Sequence, residues 1–297
     1  MTATGRTDRS PRVRVATVAP GVEPWRSETL RLFWSLRSLG GSIAGAEAVC
    51  YFDRVVDARV AESLRSLDVA VRLIAPVDPR CAMGNNQIML EEDGSYDWLV
   101  ALDCDVVVTA DFSHELTGDA VAAAPVDHSL VPLGEWAAFF AAFGVTMPPV
   151  RYRSRCHNAI CPAYFNAGVL LVPSGLVQQL RAAWARWLVE VVDSFDQARV
   201  PSSFGGHRAF TDQLAFALAL AAEGIPHRAL PLSMNAPSHL EVHPINDPEH
   251  VDPFIVHYHH NIDESGELPL SGHRGIDAAI SRVNAALAMA PTAWYRA

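Results

Sequence analysis

Tyr96-Asp97-Trp98-Leu99-Val100-Ala101-Leu102-Asp103-Cys104-Asp105-Val106-Val107-Val108 is an apolar run that meets two carboxylates and resumes as three valines. Residues 98–102 and 106–109 read as strand segments on either side of the acidic triplet. Alternate side chains of a strand share a face, so Asp103 and Asp105 point to one side where the strand ends. Two carboxylates this close repel each other unless something positive lies between them, and a divalent cation is the economical choice. The plain alternative is a pair of aspartates that shapes a turn.

Upstream, short β-rich runs alternate with helical patterns. Residues 13–19 form a strand candidate that ends at Pro20-Gly21. Residues 25–39 carry Leu32, Phe33, Leu36 and Leu39 at helical spacing, closed by Gly40-Gly41. A strand over 46–52, a helix over 58–67, a strand over 69–75 and a short helix over 85–92 follow. Downstream the expectations are strands over 120–126, 165–172, 228–232 and 254–258. Helices are expected over 135–143, 176–192, 211–222 and 276–289, with irregular loops over 147–162 and around Gly205-Gly206. Strands alternating with helices predict an α/β fold with βαβ units and a mostly parallel sheet. Ligands of such sheets gather at the carboxyl ends of strands, where the acidic triplet lies.

Composition narrows the function classes. The 297 residues are half hydrophobic and 19% charged, which suits one folded domain over 12–297 behind a polar tail over 1–11. The net charge of -10 argues against nucleic acid as a partner. An acidic chain that handles an anionic phosphate ligand needs a local remedy such as a bound cation. No apolar run approaches the ~20 residues of a membrane span, and the tail lacks a signal peptide's apolar core. Five cysteines without a C-x-x-C pair fit reduced thiols and a cytoplasmic location. Cys156, His157 and Cys161 are a weak zinc signal.

Three further segments bear on the acidic triplet: Tyr164-Phe165-Asn166-Ala167-Gly168-Val169-Leu170-Leu171, Thr211-Asp212-Gln213, and Ile255-Val256-His257-Tyr258-His259-His260. The order and spacing of these four elements resemble the GT-A fold glycosyltransferases, particularly the retaining family-eight group of glycogenin-like and bacterial galactosyltransferase-like enzymes. The resemblance covers most of the chain after Asn85. It implies a Rossmann-like, mostly parallel central sheet flanked by helices. Its nucleotide-binding half would span about 12–110 and its acceptor and catalytic half about 111–297. It also implies transfer of a sugar from a nucleotide-sugar donor, UDP-linked, to an acceptor hydroxyl with retention.

Residue by residue, the resemblance makes Asp103 and Asp105 the D-x-D pair that holds Mn²⁺ or Mg²⁺, with Asp103 and Cys104 against the donor. His257 becomes the third ligand of that metal. Asn166 and Gly168 would line the sugar site, Asp212 and Gln213 would stand beside the anomeric carbon, and Asn235 matches a late asparagine. The family's glycine and Lys-Pro-Trp after the metal histidine are missing. His259, His260 and Arg274 are the candidates to meet the pyrophosphate instead. A basic residue on the helix before the D-x-D is replaced by Asn85, Asn86 and Gln87, of which Asn86 and Gln87 are expected at the donor. Strand-end geometry adds Thr17, Val18, Ala19 and Asp53 as the wall of the base and ribose pocket.

Each residue also has a local reading. Asn166 can turn into its strand, Gly168 can be a packing glycine, Asp212 can serve its helix start, and His257 can be a buried, hydrogen-bonded histidine. On a continuing strand His257 and His259 would share a face, which suggests a hydrolase-type metal site, although no H-E-x-x-H accompanies them. Pro-Gly-Val-Glu-Pro after the first strand excludes a G-x-G-x-x-G dinucleotide loop. A sugar-nucleotide nucleotidyltransferase and a non-catalytic binding protein of the same fold are the alternative functions. Residues 147–162 and 237–253 are expected to meet the acceptor. A homodimer is compatible with the sequence.

Overall fold

The structure is a computed structural model that describes residues 11–81 and 93–291. In chain order the elements are β1 (Val13–Ala19), α1 (Trp25–Leu39), β2 (Glu47–Phe52), α2 (Ala58–Ser66), β3 (Val69–Leu73), β4 (Trp98–Leu102) and β5 (Val106–Val108). Next come β6 (Val121–Pro125), α3 (Leu133–Ala142), β7 (Tyr152–Arg153), β8 (Ile160–Cys161), β9 (Phe165–Pro173) and α4 (Ser174–Asp196). The chain closes with α5 (Thr211–Ala222), β10 (His227–Ala229), β11 (Ala236–Pro237), β12 (Ile255–His257) and α6 (Arg274–Leu287).

Seven strands form the main sheet in the order β10-β6-β9-β4-β1-β2-β3. All its pairings are parallel except those of β9, which runs antiparallel to both β4 and β6. The strands read as continuous apolar runs because helices cover both faces. Leu99, Ala101, Leu170 and Val172 pack against Trp136, Trp184, Leu188 and Leu214 of α3, α4 and α5. Their strand neighbours Val100, Leu102, Val169 and Leu171 face Leu32, Phe33, Leu36 and Leu64 of α1 and α2. A second sheet, β11-β12-β5, buries Val107, Val256 and Tyr258 under Ile276, Ile280 and Val283 of α6. Helix α1 lies between the two layers and donates from Trp34 Nε1 to the Ala286 carbonyl at 2.9 Å.

Three expectations need correction. Residues 147–162 are not wholly irregular, because β7 and β8 pair as a short hairpin there. The loop around Gly205-Gly206 is a run of 3₁₀ turns over Ser202–Phe210. Strand β12 ends at His257, and the backbone then turns left-handed at His259 (φ 46°) and His260 (φ 62°), so His257 and His259 do not share a strand face. The helix expected over 85–92, with Asn86 and Gln87, lies outside the described residues.

Candidate active site

The carboxyl ends of the parallel strands β1, β2 and β4 open on one cleft of about 840 Å³. Its lining includes Val18, Ala19, Asp53, Asp103, Cys104, Asp105, Asp212, Gln213 and His260. Thr17 is not part of that lining: it lies one residue deeper, level with Cys50 of β2 and wholly buried. Asp53 accepts the Gly21 N–H at 3.1 Å and pairs with Arg54 at 3.0 Å.

The acidic triplet is the crossing from one sheet to the other. The Asp103 N–H donates to the Gly168 carbonyl at 2.9 Å, and the Asp105 carbonyl accepts the Tyr258 N–H at 3.1 Å. Antiparallel pairing of β5 with β12 sets His257 opposite Val106, which brings its imidazole beside Asp105. One ligating atom each from Asp103, Asp105 and His257 lies within 4.8 Å of the others. His257 Nε2 stands 3.1 Å from Asp105 Oδ1, and both side chains are buried. Burial alone would raise the Asp105 carboxyl, but the His257 charge and hydrogen bond reverse this and hold it well below the usual carboxylate range. Burial opposes charging of His257, and Asp105 outweighs it, so that imidazole is raised above 6.5.

A hydrogen-bond chain orients His257. The Asp127 carboxylate accepts from Asn166 Nδ2 at 3.3 Å. That leaves Asn166 Oδ1 to accept the Gly168 N–H at 2.8 Å and Asn235 Nδ2 at 3.2 Å. Asn235 Oδ1 in turn faces His257 Nδ1 at 3.0 Å. An acceptor there requires Nδ1 to carry the proton, so Nε2 presents its lone pair toward Asp105. A lone pair facing a carboxylate calls for a proton or a cation between them. Metal-ligating histidines characteristically have this arrangement, with the other ring nitrogen donating to an oxygen. Two carboxylates and an oriented imidazole therefore fit a divalent cation.

The local reading of Gly168 as a packing residue also holds. A Cβ there would lie 2.6 Å from His257 Cε1 and 2.8 Å from Asn166 Oδ1. The β6–β9 register shifts at this point, from Ala123 opposite Leu170 to Ala124 opposite Asn166, which leaves residues 167–169 without a β6 partner. That bulge puts Asn166 and Gly168 against the histidine. The buried Arg155 guanidinium donates to the carbonyls of Leu230, Pro231 and Asn235, and so holds the segment that presents Asn235.

Asp212 and Gln213 enter the cleft from the first turn of α5. Asp212 is buried, and burial together with the Asp103 charge pushes its carboxyl up to about 7. It is not the helix cap, since that position is Phe210. Its carboxylate does accept the N–H groups of Gln213 and of its own residue, which a first-turn anion favours. Trp184 Nε1 donates to the Asp212 carbonyl at 2.8 Å and anchors the turn. Gln213 Oε1 is buried without a hydrogen-bond partner among the described residues.

The two further histidines differ. His259 stacks on His257 with ring centroids 3.7 Å apart, points Nε2 at Asp127 (3.8 Å), and does not line the cleft. Burial and the His257 charge push it down to about 2, a neutral imidazole. His260 lines the cleft, and its Nδ1 donates to Glu28 at 2.7 Å, which raises it. Glu28 and Asp127 were not anticipated from the sequence. Asp127 follows the end of β6 much as Asp103 follows β4, a legible signal. Glu28 looks like an ordinary first-turn helix carboxylate, and only the docking of α1 buries it.

The geometry agrees with what the chain is similar to. A galactosyltransferase, LgtC, solved with donor and acceptor sugar analogues, superposes with a TM-score of 0.55 at 16% identity, covering 95% of this chain and 98% of that one. An active-site mutant of LgtC gives 0.56 at 14% identity, with the same coverage. The glycosyltransferase GlyE of Streptococcus pneumoniae gives 0.51 at 14% identity, over 91% of this chain and 60% of its own. The chain spans 47% of the bifunctional glycosyltransferase WbbM. The likenesses to LgtC and GlyE show the GT-A fold. No curated protein is significantly similar in sequence. The sequence profile of the Rhodobacterales glycosyltransferase domain matches residues 25–224, about two thirds of the chain, and includes the acidic triplet, Asn166, Gly168, Asp212 and Gln213. The chain belongs to that family of glycosyltransferases.

Proposed function

We propose that the chain moves a sugar from a UDP-linked donor to an acceptor hydroxyl with retention, using Mn²⁺ or Mg²⁺ held by Asp103, Asp105 and His257. The convergence of those three side chains at the carboxyl end of β4 carries the reading. When bound, the cation supplies Lewis-acid stabilisation of the charge that builds on the departing diphosphate. The strand ends at Val18, Ala19 and Asp53 form the wall for base and ribose. Asn166 and Gly168 close the site from β9 and keep His257 in register.

Asp212 and Gln213 are the groups that meet the reacting sugar. Gln213 Oε1, an acceptor without a partner among the described residues, can stabilise positive charge on the anomeric carbon as the glycosidic bond breaks. The neighbouring Asp212 carboxyl, pushed up to about 7 by burial and Asp103, lies on the same turn and carries negative charge above that pH. Incubation with a panel of UDP-sugars and Mn²⁺ should release UDP, and a chelator should abolish the release. Release undiminished by chelator would contradict the cation's role. Turnover of GDP-sugars in preference to UDP-sugars would contradict the base.

A further inference from the structure

We propose that His128 and His157 form a second cation site, apart from the acidic trio, that takes a borderline divalent cation of the zinc type. The inference goes beyond the sugar-transfer reading and uses none of its residues. The two Nδ1 atoms stand 3.3 Å apart. Two imidazole nitrogens bound to one tetrahedral zinc are also about 3.3 Å apart, because each lies about 2.05 Å from the metal. The ring centroids are 4.7 Å apart with planes tilted by 47°, so the rings do not stack face to face. Both side chains are exposed, so their lone pairs can turn toward one ion without displacing the core.

The backbone brings the pair together across 29 residues of sequence. His128 follows the end of β6, and His157 sits in the turn between β7 and β8. The Arg155 N–H donates to the Val126 carbonyl at 3.0 Å and the Cys156 N–H to the Asp127 carbonyl at 2.9 Å. These bonds lay the turn along the segment that leads into His128. The turn itself is closed by the Asn158 N–H on the Ser154 carbonyl at 3.0 Å, with Asn158 left-handed (φ 54°). Asparagine tolerates that conformation, so the turn holds its shape without a ligand.

The thiols that suggested zinc in the sequence take no part. Cys161 is wholly buried and its Sγ faces the Tyr152 carbonyl at 3.8 Å. Burial, helped by the Asp127 charge, pushes the Cys156 thiol up to about 12, which disfavours the thiolate a metal needs. Imidazoles without carboxylates select zinc-like cations over Mg²⁺ and Mn²⁺, which favour oxygen ligands. Two protein ligands leave the remaining positions to water, and a bound ion would tie the end of β6 to the β7–β8 turn.

Calorimetry with Zn²⁺ on wild type, His128→Ala, His157→Ala, Cys156→Ser and Asp105→Asn tests the assignment. Both histidine variants change exposed side chains, and each should hold one zinc equivalent fewer than wild type. Their affinity at that step should fall at least ~100-fold, beyond the usual loss when only a partner behind a ligand is removed. Cys156→Ser should bind as wild type does, and Asp105→Asn should keep the equivalent that the histidine variants lose. Excess Mg²⁺ should leave that equivalent in place. Zinc should also raise the melting temperature of wild type more than that of either histidine variant. Unchanged zinc binding in both histidine variants would overturn the proposal and leave the pair as a plain hydrogen bond. Loss of the same equivalent in Cys156→Ser or Asp105→Asn, or its displacement by Mg²⁺, would overturn it as well. If the acidic trio binds no zinc, the difference of one equivalent between wild type and the histidine variants still stands, so the two sites fail separately.

Discussion

The strands β4 and β12 bring the candidate cation ligands together by opposite means. β4 is five buried residues deep in the main sheet, hydrogen-bonded to β1 and β9, and it delivers Asp103 at its end with little local freedom. β12 is three residues long, lies in the small sheet, and gives way within two residues to a left-handed turn that carries His259 and His260. One region is generic scaffold that any parallel sheet can provide. The other is held by individual side-chain contacts: Asn235 on His257, Glu28 on His260, Asp127 near His259.

Substitutions on the two sides should separate these contributions. The largest effect belongs to the strand end: Asp105→Asn should lower sugar transfer by at least ~1000-fold, because cation binding and charge stabilisation are lost together. A coupled assay for UDP release reads this, and a loss below tenfold would remove Asp105 from the site. Asp212→Asn should lower turnover by ~100-fold while leaving the protein folded. A role confined to the helix start would instead cost at most ~1 kcal/mol of stability and leave transfer intact. Thermal melting and turnover on that one variant decide between them.

On the turn side, Asn235→Ala removes the acceptor that fixes the His257 tautomer. Mn²⁺ affinity should fall about 10- to 100-fold, the usual consequence of losing a partner behind a ligating histidine. Calorimetry with Mn²⁺ checks this, and unchanged affinity would show that the chain from Asp127 to His257 does not orient the ligand.

Most of the architecture could be read from apolar periodicity, because β1, β4 and β9 are buried on both faces and α1, α4 and α5 carry long apolar stripes. The convergence of Asp103, Asp105 and His257 was legible only through the order of motifs, since 152 residues separate Asp105 from His257. Thr17 went astray by a single residue of depth along β1, a distance that periodicity does not resolve. Glu28 and the departure of His259 from strand geometry had no local signal. Both arise when α1 and the small sheet pack together, and left-handed histidines leave no mark in a hydrophobic pattern.

The smallest expected effect is a pH dependence. Asp105 raises His257 above 6.5 in the cation-free protein, so below that raised value Nε2 holds a proton that a cation must displace. Mn²⁺ affinity should be greatest at alkaline pH and fall by about tenfold per unit once pH drops below the His257 pKa. His257→Gln should flatten the profile over this range.

The central claim is that Asp103, Asp105 and His257 hold one cation on which donor binding depends. Titrating wild-type protein with UDP at fixed Mn²⁺ concentrations tests it directly. The proposed site predicts one Mn²⁺ per chain and a UDP affinity that rises with Mn²⁺ until that site is full. UDP bound equally well with and without Mn²⁺ would contradict it.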